Sequence, residues 1–564
     1  MEVRQKVIVL SVLCIVYSLP QIWFFLVGGE EYAMLSLGIL CFAALSYFTH
    51  KGTIRVNIDK IDILFVCFIS YCLFNVCLPL DVTTLSRTFS LVGIWFFFRN
   101  LPRKDYGVMM VQWGIILSSV VQAAVAIMQQ FGVWNSLHAH FPATGAFGNP
   151  GPLGGYLALG MTILFLRFVR FGIRSRCEQV LIVMCAVILL CAIVIADSRA
   201  SWFAVSVAAG VCCFRRRRKR KTKSIKFMAL SACFLTLQAI AFICYRPDSV
   251  FARLTIWKVS LLMFCDAPVF GNGTGSFLRR YMDKQTEYLS GASTFIKREA
   301  DDVSVAYNEI LGVLVEQGLV GFCLLMAFMI FLCATLWKRD ASEDEHSFLY
   351  ALISVLCFSL FSYPSSIPAI YVPVVVMLAL TPMGKGMNLS KRYVRSFATL
   401  NLTFLVFCFF CNLSFWTYLD RYRSLETTPT NIFDHKPVPW FVRHNPICLT
   451  SMADAQIAVG DQMAIIITCG RLVQYHNKSQ WYMALGDANA QLGRLKEADA
   501  YYGRVCTMRP GLVEPFYARF LLWIGEDSER SVSIARHVLS MPAKIENSET
   551  RAMRESVYEF LQRI

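Results

Sequence analysis

The stretch "VLIVMCAVILLCAIVIADSRASWFAVSVAAGVCCFRRRRKRK", residues 180–221, decides the architecture. Two apolar runs, 178–196 and 199–214, are separated by almost nothing, and the second ends in a dense basic cluster. Apolar runs of roughly 17–25 residues cross about 30 Å of hydrocarbon as helices. A basic cluster closing such a run marks the cytoplasmic side. The short turn between the runs then lies outside, and it carries Asp197 and Arg199. An ionised side chain at a membrane boundary costs a few kcal/mol by insertion scales unless it meets a partner. Arg199 therefore calls for a function.

The same pattern repeats along the chain. Of 564 residues, 56% are hydrophobic and only 16% charged, too apolar for a soluble protein of this size. Hydropathy predicts about thirteen transmembrane helices, at 5–27, 31–49, 60–80, 83–98, 106–131, 151–169, 178–196, 199–214, 225–245, 306–337, 347–362, 366–381 and 397–418. The first lacks a small-residue cleavage site and is expected to be retained. Six basic connections, at 50–60, 99–104, 167–176, 215–226, 337–340 and 384–395, all fall on one side if that count holds. This places the N-terminus in the cytoplasm and residues 132–150, 246–305 and everything after 418 outside. The net charge of +16 is thereby absorbed by topology, and a nucleic-acid partner is not expected. The 21 cysteines lie mostly within apolar runs, as small buried hydrophobes, and show no zinc spacing.

Four external stretches combine charge, glycine and proline. "ATGAFGNPGPLGGYLALG" (143–160) leads through Asn149 into a span. It is either a glycine-softened helix entry or a backbone that a bulky polar ligand approaches. Asp197–Ser198 can cap a helix starting near Arg199, whose N-terminus and guanidinium together suit an anion. The alternatives are an Asp197–Arg199 pair or a snorkelling arginine. "FARLTIWKVSLLMFCDAPVFGNGTGSF" (251–277) carries Arg253 and Lys258 on an apolar segment suited to the membrane interface. In "ADDVSVAYNEILGVLVEQGLVGF" (300–322), Tyr307, Asn308 and Glu309 stand where a long span begins. Glu309 and Glu316 share one helical face, and helix capping by Asp301, Asp302 or Asn308 is the plainer reading of the polar residues. A nucleotide loop is a poor match to the glycines of the third stretch, since no strand precedes them and the side is external; an amphipathic helix on lipid headgroups is its plainer reading.

In this order the stretches resemble the superfamily of O-antigen ligases, O-antigen polymerases and pilin-type protein O-oligosaccharyltransferases. The shared pattern is the glycine–proline helix entry, "SR" opening a span, "R…W" before a glycine turn, and "YNE…E.GL.G". The resemblance covers residues 140–380 or so. It implies transfer of a preassembled glycan from undecaprenyl diphosphate to an acceptor hydroxyl at the outer face of the bacterial inner membrane. It implies that Arg199 and Arg253 hold the donor's diphosphate, with Asn149, Asn308 and Lys258 as further substrate-binding candidates. Ligases of this kind carry a histidine where Tyr307 stands. Tyrosine is a poor base at neutral pH, so Glu309 becomes the candidate proton acceptor. No cofactor and no catalytic metal are expected, although the acidic run 299–302 leaves a metal open. The acceptor stands open between lipid A–core, a protein Ser/Thr and a growing glycan. A membrane transporter is the reading from another class, disfavoured because no internal repeat is visible.

The tail changes character. Residues 479–510, "SQWYMALGDANAQLGRLKEADAYYGRVCTMRP", resemble a tetratricopeptide repeat, with Leu485, Gly486, Gly493, Ala498, Tyr502 and Pro510 at its spacing and Asn489 in place of a tyrosine. The expected organisation is a membrane domain over 1–420 with external loop 246–305, a linker over 421–446, and a periplasmic helical-repeat domain over 447–564. Such arrays commonly engage a protein partner.

Overall fold

The computed structural model describes residues 29–52, 55–76, 82–101, 105–138, 141–171, 176–219, 225–245, 247–338, 343–381, 386–424 and 444–564. The span expected at 5–27, most of the linker and the end of the basic run after 219 lie outside the described residues. The fold is nearly all-α. Its membrane part comprises α1 (Gly29–His50), α2 (Lys60–Phe74), α3 (Val82–Arg99), α4 (Asp105–Gln130), α5 (Pro150–Phe171), α6 (Arg176–Ile195), α7 (Arg199–Lys219) and α8 (Ile225–Tyr245). There follow α9 (Pro247–Asp266), α10 (Ser276–Ser290), α11 (Thr294–Glu299), α12 (Glu309–Lys338), α13 (Glu343–Ser359), α14 (Pro368–Ala379) and α15 (Lys391–Ser424). Among the described residues five helices are long and apolar enough to cross a membrane, within α1, α4, α5, α12 and α15. Shorter apolar helices cover Gln179–Ile195, Phe348–Ser359 and Pro368–Ala379. The run expected to span over 366–381 thus forms a helix of 12 residues, entered through Pro368 after a 3-10 turn at Pro364–Ser366. At 1.5 Å per residue it is about 18 Å long, short of the hydrocarbon thickness.

Close packing uses small residues, as expected where lipid offers no hydrophobic drive between helices. A Cβ on Gly154 of α5 would stand 2.4 Å from the Ser198 side chain at the head of α7. That glycine is a packing position, which answers the open question about part of the glycine-rich entry.

The loops between helices gather at two ends. At one, Asn57 and Ile58 pair antiparallel with Asn388 and Met387. Beside them the Arg99 guanidinium bonds Asp59 (2.8 Å), Asp62 (3.1 Å) and the Thr381 carbonyl (2.7 Å), fully buried. Arg215 lies over the Trp337 ring at 4.7 Å. The strand pair, the Arg99–Asp59 bond and the Arg215–Trp337 contact each join two of the basic connections. Arg199 and Arg215 are separated by about 24 Å along α7, and the contacts of Arg199 belong to the opposite end.

The tail also packs at that opposite end. It contains α16 (Pro446–Val459), α17 (Gln462–Tyr475), α18 (Ser479–Gln491), α19 (Leu495–Met508), α20 (Glu514–Trp523), α21 (Ser528–Ser540) and α22 (Ser548–Arg563). Consecutive helices contact one another. Phe415 and Leu419 near the end of α15 are buried with Cys448, Met452 and Ala455 of α16. Within α18–α19 the Tyr502 ring lies on Gly486 and its hydroxyl donates to Asp487 at 2.7 Å. Asn489, the departure from the repeat pattern, is buried and bonds the Leu485 carbonyl of its own helix.

Candidate active site

Four segments converge at this end of the bundle. The first is the turn from α6 into α7. Asp197 takes a φ of 47°, a left-handed conformation unusual for a residue with a side chain. The Ser198 carbonyl receives the Ser201 amide and the two serine hydroxyls meet at 2.7 Å, so α7 starts at Arg199. The Arg199 guanidinium donates to the Ser249 hydroxyl in the first turn of α9 at 2.7 Å.

One turn further along α9, Arg253 donates to the Phe361 carbonyl at 2.8 Å, and its guanidinium carbon stands 5.6 Å from the Tyr307 ring centroid. Burial pulls the Arg253 guanidinium below its ordinary value, and the positive charge of Arg199 pulls it further. Ser249 and Arg253 lie one turn apart on α9, so the Arg199 bond to Ser249 brings the two guanidiniums to the same side of that helix. Such a pair is relieved by an anion. A phosphate, matched bidentately by guanidinium forks, is a suitable one.

The third segment is 300–309. Tyr307 also has a left-handed φ, 50°, and its ring meets Tyr363 edge-on at 5.3 Å. Burial raises the Tyr307 hydroxyl above its ordinary value, although Arg253 opposes the shift. That moves it further from use as a base at neutral pH. Strained conformations of this kind cost about 1–3 kcal/mol each and persist where the surroundings enforce them. Asn308 accepts the Leu311 amide at 3.2 Å, the cap of α12. Glu309 accepts the Ser365 amide on one oxygen (2.8 Å) and the Ser365 hydroxyl on the other (2.7 Å). The fourth segment, 361–365, thus supplies Phe361, Tyr363 and Ser365.

Behind the site, α12 is broken. Gly318 has φ 62° and lets the loop after α9 run alongside, with Asn272 and Gly273 amides bonding the Val315 and Glu316 carbonyls at 2.8 Å. A Cβ on either Gly271 or Gly318 would fall 2.4 Å from backbone atoms of the other segment. Glu316 accepts the Gly275 and Phe277 amides at 3.1 and 3.2 Å, so it caps α10. Its shared face with Glu309 serves structure here.

Of the sequence candidates, Arg199, Arg253, Tyr307 and Glu309 are brought together. Asn308 stands beside them as a cap. Asn149 accepts the Gly151 amide of its own helix at 2.9 Å, and Lys258 lies over the Tyr288 ring at 5.0 Å, towards α10. Neither contact points into the arginine pair. Sequence reasoning missed Ser249, Tyr363 and Ser365. The signal for the last two was "SYPSS" (362–366), a polar, proline-bearing break between two apolar runs on the same side as Arg199.

Residues 184–326 match the family model described as O-antigen ligase. The match takes in Arg199, Arg253, Tyr307, Glu309 and the break at Gly318, and it ends before Ser365. It supports the O-antigen ligase superfamily and a glycosyl-transferring function of ligase or polymerase type. No curated protein matches the chain.

Proposed function

We propose that this chain transfers a preassembled glycan from undecaprenyl diphosphate to an acceptor hydroxyl on lipid A–core, as an O-antigen ligase-type enzyme of the bacterial inner membrane. The observation that carries this reading is the convergence of Arg199, through Ser249, and Arg253 on one turn of α9 within the matched region. On this reading the acceptor oxygen attacks the anomeric carbon with inversion. The bond from that carbon to the phosphate oxygen breaks, and its electron pair leaves on the diphosphate. The acceptor's proton passes to Glu309, which Ser365 holds in place. Fixed cations aimed at the charge that develops on a leaving group commonly make the largest contribution to catalysis. Tyr307 supports Arg253 through its ring face and lies beside the reacting sugar. The reading uses no metal and no cofactor. It places the N-terminus and the Arg99 end in the cytoplasm, and the site and the tail in the periplasm. The tail, read as a tetratricopeptide-like array over 447–564, is the place for a protein partner.

A protein Ser/Thr acceptor is the second reading, favoured by the docking of the helical tail against the segment that carries Tyr307. The deciding experiment incubates purified protein with lipid-linked glycan and, separately, lipid A–core and a Ser/Thr-bearing pilin-like protein. A mass gain on lipid A–core supports the first reading, and a gain on the protein alone replaces it with the second. Release of no glycan to either, with uptake into proteoliposomes instead, would return the chain to the transporters.

A further inference from the structure

The acidic run 299–302 has an unexpected partner. Asp301 pairs with Arg509 at 2.7 Å and with Lys544 at 2.7 Å, both from the tail. Lys544 also donates to the Glu299 carbonyl at 3.1 Å. Asp302 accepts the Ser479 amide at 3.0 Å and the Ser479 hydroxyl at 2.5 Å. Gln285 of α10, 2% exposed, bridges the Asp301 carbonyl and the Met508 carbonyl of the tail at 3.1 and 3.2 Å. The apolar contacts follow the same line: Met508 is buried with Val303, Ala306 and Tyr281, and Tyr307 packs at the edge of that cluster. Burial pushes the Asp301 carboxyl up, but Arg509 and Lys544 outweigh it and hold the group below its ordinary value.

Residues 300–308 themselves belong to no helix or strand. A segment without its own backbone ladder takes its conformation from what it is tied to. Here it is tied to the tail at one end and enters α12 at the other. Between these lie Tyr307, in a left-handed conformation, and then Glu309.

We propose that Asp301 and Asp302 are positioning residues, and that the C-terminal array, gripping them through Arg509, Lys544 and Ser479, is an integral part of the transfer site. The array holds Tyr307 against Arg253 and Glu309 against Ser365. This inference rests on the transferase reading for its activity arm only. A displacement of about 1 Å in a reacting group can lower turnover about 100-fold.

The test uses the full-length chain in detergent or proteoliposomes, with charge reversals Arg509→Glu and Lys544→Glu together. Transfer is expected to fall by about 10–100-fold in kcat, with the KM for the lipid-linked donor little changed, because the arginine pair stays in place. The reciprocal chain, Asp301→Lys added to that double variant, is expected to recover much of the loss. A second readout needs no activity. Val303 is only 8% exposed, so a Val303→Cys label site should react slowly with a membrane-impermeant maleimide, above the parent's background, and faster once the reversals are introduced. Unchanged labelling together with unchanged transfer in a stably inserted double variant would overturn the proposal. Absence of transfer in the parent, with labelling that still responds to the reversals, would leave the positioning of the segment standing and remove the transferase reading alone.

Discussion

Arg253 faces Tyr307 with its guanidinium carbon 5.6 Å from the ring centroid, while one of its nitrogens is fixed to the Phe361 carbonyl. The ring holds the cation by its face, and the carbonyl orients the fork. Arg199 reaches the same helix through Ser249, so the two guanidiniums border one site. A lysine in either place would keep the charge and lose the fork. Arg253→Lys and Arg199→Lys are therefore expected to retain insertion and lower transfer by about 100-fold, with the alanine variants lower still. Transfer by purified variants, normalised to inserted protein, checks this. Parent-like rates in either alanine variant would remove the diphosphate role.

Tyr307 separates ring from hydroxyl. Its ring meets Arg253 and Tyr363, and the hydroxyl is a poor base that burial makes poorer. Tyr307→Phe should keep transfer within about threefold, because the cation–π contact survives at about 0.5–2 kcal/mol. Tyr307→Ala should lose far more. A phenylalanine variant as inactive as the alanine one would show that the hydroxyl takes part in the reaction.

The break in α12 tolerates no side chain. Gly271 and Gly318 both have positive φ, and a Cβ on either would fall 2.4 Å from the other segment's backbone. Backbone cannot rotate away as a side chain can. Gly318→Ala is expected to cost at least about 2 kcal/mol, seen as a lower Tm of the detergent-solubilised chain. The tie that Tyr71 makes to the Phe270 and Gln317 carbonyls, at 3.1 and 3.0 Å, should go with it. An unchanged Tm would mean that the two segments separate without consequence.

The architecture was readable where physics is local. Apolar run length and basic connections give an all-α membrane bundle, and the loops that charge placed on one side do meet, as Asn57 with Asn388 and Arg215 with Trp337. Arg199 and Arg253 were legible because charge in such places is costly. The partners were not. Ser249 and Ser365 are small polar residues of a kind found in every loop, and only the fold gives them an arginine and a glutamate. Asp301 and Asp302 read as helix caps, with a metal left open and not expected, since their cations arrive from more than 200 residues away. The same holds for Arg99, whose two aspartates lie across another helix. Glycines mislead in the opposite direction: Gly154 reads as flexibility and serves close packing.

His476 sets a pH dependence for the tail. It is half-buried beside Lys478, its buried Nε2 meets no hydrogen-bond partner, and burial first and Lys478 second push it down to about 4. Unfolded, the imidazole binds its proton near 6.5. Between these values the unfolded chain holds more protons, so stability falls as pH drops from about 6.5 towards 4, by at most about 1.4 kcal/mol per pH unit. His476→Gln should flatten the pH dependence of the tail's unfolding transition in the full-length protein over that range. A slope identical to the parent's would place the titration elsewhere.

Glu309 has both carboxylate oxygens engaged by one residue, the Ser365 amide on Oε1 and the Ser365 hydroxyl on Oε2. The two bonds divide the consequences of mutation. Glu309→Gln removes the proton acceptor while nearly keeping its shape, and is expected to lower transfer by about 100–10,000-fold, the range that general bases supply. Ser365→Ala removes one bond and leaves the amide, so Glu309 stays near its place and the loss should be about tenfold. Ser365→Pro also deletes the amide donor, because proline has no N–H. Its loss should approach that of Glu309→Gln. Donor binding, followed by retention of lipid-linked glycan, should be unaffected in all three, since the arginine pair contacts neither Glu309 nor Ser365 directly in its described hydrogen bonds. The graded order alanine, proline, glutamine is the discriminating outcome. If Ser365→Ala already equals Glu309→Gln, the hydroxyl itself relays the proton. If Glu309→Gln retains transfer, the base lies elsewhere in the site.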